Sequence, residues 1–230
     1  MGEPAAHVQD IGIILKQRFG IAVVVRNLRS ARVTAVAVRA VGSAAIVLCS
    51  SDPHRANNPL LARVYLAHEL CHVLFDPSPG GLHIVIDAAT DKKDLAAERR
   101  ARAFAAEFLL PNDGLVQLLG SPRNFREYSG ALDMVAKVRS VFGTPHEVTA
   151  NHLCNLHFID LDLRDWLEAE RTKFTNSLPT TTLPSTDAPS TAVETYLQRA
   201  HREGIITDTE ARAALGVDKL APLPWEEVEL

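Results

Sequence analysis

From Leu60 to Phe75 the chain runs without a proline or a glycine. Along it Leu60, Leu61, Val64, Ala67, His68, Cys71, His72, Leu74 and Phe75 recur at spacings of three and four, the period of one helical face. Pro59 suits a first helical turn. The stretch therefore predicts a half-buried helix, and on its apolar stripe stand His68-Glu69-Leu70-Cys71-His72. Residues four apart lie one turn apart on one face. Two imidazoles so placed reach a single metal ion, and Zn²⁺ favours nitrogen donors at ~2.0–2.1 Å. Glu69, beside the first histidine, is placed to take a proton from a water on that ion. The plainer alternative is a helix with two core histidines and an exposed glutamate. A third ligand separates the two readings, because a catalytic zinc site uses about three protein ligands plus water.

The search for that ligand leads to a second helix, expected from about Lys93 to Leu110 and ended by Pro111. Ala101, Phe104, Ala105 and Phe108 give it a buried stripe, and Glu98 lies at the stripe's flank. A carboxylate facing the interior is costly unless a cation compensates it, and a zinc held by two neutral histidines is such a cation. Glu98 is therefore the expected third ligand. Its position equally fits a first-turn acid favoured by the helix dipole, or a partner of Arg102 one turn on. Asp94, a turn earlier, is a rival ligand, although Asp91 or Asp94 also suits the N-cap.

The chain has 230 residues, 47% of them hydrophobic, enough for one substantial core and a small appendage. Residues 4–18 read as an amphipathic helix stopped by Gly20. Three Val- and Ile-rich runs, 21–26, 32–38 and 44–49, read as strands of a small antiparallel sheet, with 82–86 as one more short strand. Beyond Pro111 the pattern is helical. The expected fold class is thus α+β: a small antiparallel sheet packed on the His-Glu-x-x-His helix, followed by a helical half. Residues 1–174 form the expected main domain, with a helical subdomain at about 112–174. A Ser/Thr/Pro-rich linker at 175–191 and a helical hairpin tail at 192–230 complete the layout. Thr144 with Glu147, and Thr207 with Glu210, have the spacing of capping boxes. The pair 131–143 and 145–157 has helix-turn-helix proportions, but its second helix offers little Arg or Lys. A net charge of -4 and no long basic run argue against direct nucleic-acid binding. No apolar run is long enough for a membrane span, and the N-terminus lacks the layout of a signal peptide. Three scattered cysteines, Cys49, Cys71 and Cys154, suggest reduced thiols and a cytoplasmic location.

Two segments together carry a family likeness. Arg63-Val64-Tyr65-Leu66-Ala67-His68-Glu69-Leu70-Cys71-His72 resembles a first motif of the form R-F-T-x-A-H-E-x-x-H. Glu98-x-x-Ala101-x-x-Phe104-Ala105, running on to Leu109-Leu110-Pro111, resembles a second of the form E-x-x-A-x-x-F-A-x-x-L-L-x-P. Both belong to the ImmA/IrrE family of bacterial and phage metallopeptidases, and the likeness extends over roughly residues 10–160 in layout. Val64 and Tyr65 stand where Phe-Thr is usual, Cys71 where a small residue is usual, and Phe108 where the first Leu is usual. None of these removes a ligand, and the tail beyond about Phe174 is unmatched.

The resemblance implies a gluzincin-like centre with His68, His72 and Glu98 as zinc ligands and Glu69 as the catalytic glutamate. It also implies a zinc endopeptidase that cleaves a partner helix-turn-helix repressor and so relieves repression. The contrasting expectation is a catalytically silent metal-containing sensor that regulates a repressor by association, against which the presence of Glu69 argues. His83, Tyr65 and Tyr128 are polar candidates for stabilising the oxyanion. Cys71, inside the motif helix, raises the idea of oxidation-sensitive zinc binding.

Overall fold

The computed structural model describes residues 8, 10–28, 33–40, 42–51, 58–76, 82–88, 95–123, 125–170, 191–204, 206–215, 217–218 and 222–225. The chain divides into two compact units. One comprises Asp10–Ala101 with Leu183–Leu230, the other Met1–Gln9 with Arg102–Thr182.

The first unit is built on a four-stranded sheet of β1 (Ile21–Arg26), β2 (Val33–Ala40), β3 (Ser43–Cys49) and β4 (Leu82–Ala88), in the order β1-β3-β2-β4. The α+β class is as the sequence suggests. The sheet itself is mixed: β2 pairs antiparallel with β3 and β4, while β1 pairs parallel with β3. The parallel pair follows from the β2–β3 hairpin. Ala40 opposes Ser43 and Gly42 beside it has φ 76°, so β3 returns antiparallel to β2, and its other edge pairs with β1.

All of Val33–Val38 is buried. A strand with one wet face would alternate, so a continuous buried run needs cover on both faces. That cover comes from opposite ends of the chain. Helix α1 (Ile11–Phe19) packs on β1, and α2 (Pro59–Phe75) packs on β2 and β3. On the other side Val24, Val36, Val38, Ala45 and Val47 join one apolar cluster with Leu197, Ala200, Ile206, Ala211, Leu215 and Leu223. These residues belong to or follow two C-terminal helices, Thr191–Arg202 and Asp208–Leu215.

In chain order, helix α3 spans Leu95–Leu109. The second unit continues from it through α4 (Asn112–Leu119), α5 (Tyr128–Phe142), α6 (His146–Asn155) and α7 (Leu161–Ala169), and the C-terminal pair are α8 and α9. Leu115, Val135, Val138, Phe142, Leu153 and Leu163 anchor the helical unit's core. Gly143, at φ 61°, lets the chain turn between α5 and α6 while its N–H returns to the Arg139 carbonyl at 2.9 Å. The Ser/Thr/Pro-rich stretch and the acidic last residues lie outside the described residues.

Candidate metal centre

Helix α2 is fixed at both ends before it presents any chemistry. Asn58 caps its start, its Oδ1 accepting from the N–H of Leu60 at 3.1 Å and of Leu61 at 3.3 Å, and Pro59 opens the first turn. At its far end Arg39 of β2 donates to the carbonyl of Val73 at 2.5 Å and to that of Asp76. Those bonds satisfy carbonyls that a helix C-terminus leaves without an intrahelical partner. Between these anchors the helix is buried over most of its surface, Arg63, His68, Glu69 and His72 included. Leu74 and Phe75 of the expected stripe are exposed instead, at 39% and 56%.

One turn apart, the imidazoles of His68 and His72 meet edge to face with ring centroids 4.8 Å apart. Their Nε2 atoms are 3.1 Å apart. Glu98, from the first turn of α3, brings Oε2 to 3.4 Å from His68 Nε2 and Oε1 to 3.6 Å from His72 Nε2. Donors at ~2.0–2.1 Å from a tetrahedral zinc lie ~3.3–3.4 Å from one another. The three separations bracket that edge length, and the donor set, two imidazole nitrogens and a carboxylate, suits Zn²⁺. Three protein donors also leave a fourth position for water or substrate. Glu69 is fully buried beside His68, which removes the plainer reading of an exposed glutamate on a structural helix.

A carboxylate stands behind the centre as well. Asp76 Oδ2 lies 2.8 Å from His72 Nδ1, and its Oδ1 accepts from Arg100 of α3. Burial works against ionisation of Asp76, but the hydrogen bond to His72 and the Arg100 guanidinium outweigh it and hold its carboxyl below the ordinary range. The Asp76–Arg100 pair was not singled out from the sequence. In the sequence Asp76 opens the helix-breaking run Asp76-Pro77-Ser78-Pro79-Gly80-Gly81, and Arg100 lies outside the apolar stripe of α3. The available signal was spacing, because an acid four residues after a metal-binding histidine lies over it by one turn. Arg39 had no local signal, since its bonds to α2 join residues far apart in sequence.

The remaining candidates fall elsewhere. Asp91, Asp94 and the His83 side chain lie outside the described residues. Tyr65 is partly buried on α2, one turn before His68. Tyr128 belongs to the helical unit, where its ring meets Trp166 edge to face at 4.8 Å. Cys71 is fully buried. Burial pushes its thiol pKa up, with Arg100 partly opposing, which favours the thiol over the thiolate. All three cysteines are free thiols. Among the described residues, no helix is long and apolar enough to cross a membrane. One group of donors among them fits a metal ion, that of His68, His72 and Glu98, with ligand atoms all within 4.8 Å of one another.

No curated protein and no solved structure matches the chain significantly. A family does: residues 16–153 match the IrrE N-terminal-like domain, Peptidase_M78. The matched span starts in α1 and ends in α6, and so contains both helices that carry the donors. A peptidase family match that encloses a donor set already spaced for zinc makes this chain a zinc-dependent peptidase belonging to the IrrE N-terminal-like domain family.

Proposed function

We propose that the protein is a cytoplasmic endopeptidase that cleaves a partner helix-turn-helix repressor and thereby relieves repression. The observation that carries the catalytic part is the position of Glu69, fully buried next to His68 and within the helix that supplies two of the three donors. In this reading His68 and His72 would hold the ion through their imidazoles and Glu98 through its carboxylate. When bound, zinc would supply a Lewis acid for the scissile carbonyl and would make a nearby water more acidic. Glu69 takes the proton of the attacking water and passes it to the leaving amine. The substrate class rests on the likeness of the two motifs to those of ImmA/IrrE peptidases. The cytoplasmic location rests on three free cysteines. Residues 1–174 are assigned the catalytic work, with 175–191 as a linker and 192–230 as a helical hairpin tail.

The test is incubation of the full chain with the product of the adjacent gene, with fragments identified by mass spectrometry. The parent protein should cut at one site. Glu69→Gln should retain zinc and lose roughly 10²–10⁴-fold in rate, the range for a general base. Cleavage undiminished in Glu69→Gln would rule out that base. Stoichiometric, reversible repressor binding without fragments would favour the silent sensor instead.

A further inference from the structure

Asp76 closes α2, and three elements converge on it. Its Oδ2 lies 2.8 Å from His72 Nδ1, its Oδ1 accepts from Arg100 of α3, and its backbone carbonyl accepts from Arg39 of β2. The Asp76 side chain is only 8% exposed, so these contacts are largely shielded from solvent. Each contact bears on the metal centre. With Asp76 as acceptor, Nδ1 of His72 carries the proton and Nε2 keeps its lone pair. Nε2 is the atom that lies 3.1 Å from His68 and 3.6 Å from Glu98.

The Arg100 contact acts on the third donor. Arg100 follows Glu98 by two residues on α3, and residues two apart leave a helix about 200° apart. Glu98 and Arg100 thus reach α2 from different sides of α3. Two contacts at different azimuths set the rotation of a helix about its own axis as well as its distance, whereas one contact sets only the distance. Arg39 completes the arrangement by binding the Val73 and Asp76 carbonyls, which fixes the turn from which the Asp76 side chain departs.

We propose that Asp76 and Arg100 are positioning residues of the zinc centre: Asp76 aims His72 Nε2 at the metal, and its ion pair with Arg100 holds α3 so that Glu98 completes the donor set. The proposal rests on the zinc-peptidase reading and concerns metal binding rather than cleavage. It is tested on the full chain by titrating zinc against a chromophoric chelator. Asp76→Asn keeps the shape, Asp76→Ala removes the acceptor, Arg100→Ala removes the tie to α3, and Arg100→Lys keeps a cation on a similar stem.

Loss of a residue that orients a metal ligand typically weakens binding roughly 10–100-fold. Asp76→Ala and Arg100→Ala should each fall in that range, Asp76→Asn should lose less, and Arg100→Lys should recover most of the affinity. The double variant Asp76→Ala/Arg100→Ala should be about as weak as the weaker single variant, because the two residues act as one unit. The visible spectrum of the cobalt-substituted protein should change in Asp76→Ala and Arg100→Ala, reporting altered donor geometry. Zinc affinities within twofold of the parent in both alanine variants, even with a lowered melting temperature of the metal-free protein, would reduce the pair to a structural role and overturn the proposal. A parent protein that takes up no zinc would bring down the metal reading and this proposal together. Tight parental binding with unchanged variants would bring down this proposal alone.

Discussion

Two buried histidines of the helical unit show how single residues tie this protein to pH. His146 Nε2 lies 2.7 Å from the Leu167 carbonyl, and His152 Nε2 lies 3.0 Å from that of Leu110 and 3.3 Å from Glu107. For both, burial is the largest influence and lowers the pKa from the ordinary 6.5. The carbonyls and the charges of Glu107, Glu147 and Glu168 pull the other way, while Arg139 adds to the lowering at His146. The folded chain therefore binds fewer protons than the unfolded chain as pH falls through about 6.5, and stability is lost on the acid side of that value. Thermal melts of chelator-treated protein should show a lower melting temperature at pH 5.5 than at pH 7.5. His146→Gln/His152→Gln should flatten the difference. At the metal centre, a ligand that binds only the folded state stabilises it, by about 2.7 kcal/mol at a hundredfold excess over Kd. Zinc should accordingly raise the melting temperature of the parent, and Glu98→Gln should need much more zinc for the same rise. That His68, Glu69 and His72 share one helix was legible in the sequence, because it follows from their spacing. Glu98 was legible only by pairing an inward acid with a missing counter-charge.

At the scale of elements, helix ends separate what sequence rules can and cannot see. The Thr207–Glu210 capping box forms, with Thr207 N–H donating to Glu210 at 2.8 Å and Glu210 N–H donating to Thr207 Oγ1 at 3.3 Å. The box expected at Thr144–Glu147 does not. Pro145 takes the cap position without a side-chain bond, and the buried Thr144 hydroxyl pairs with that of Thr149 at 2.8 Å. The two sequences are alike, but Thr207 is exposed and answers to its neighbours, whereas Thr144 is buried and answers to the surrounding core. For α2 the cap is Asn58, whose two hydrogen bonds hold the first turn of the helix that carries His68 and His72. Asn58→Ala should cost about 1 kcal/mol of stability in denaturant unfolding, the usual effect of a lost N-cap. An unchanged midpoint would show that tertiary packing alone holds that end.

Across the whole molecule, the sheet of the first unit is completed by the part of the chain farthest from it in sequence. Leu197 of α8 is fully buried in the cluster that covers Val36, Val38 and Val47. Leu197→Ala should therefore destabilise the protein by about 2–5 kcal/mol, as truncation of a core leucine does. A midpoint unmoved in urea would exclude the hairpin from the cooperative core. The unbroken burial of Val33–Val38 calls for a covering layer on each face, because a sheet wet on one face would alternate. Nothing local, however, could say which segment supplies that layer, since the amphipathic stripe of a helix fits any apolar face. By itself the sequence determined the helix of the two histidines, the acid beside them, the α+β class and the helical second half, since each follows from periodicity or spacing within a short window. The tertiary structure decided the parallel pairing of β1 with β3, the hairpin as cover for the sheet, and the convergence of Arg39, Asp76 and Arg100 behind His72. These are contacts between residues distant in the chain, chosen by which buried charges and apolar faces can satisfy one another, and no short stretch of sequence encodes that choice.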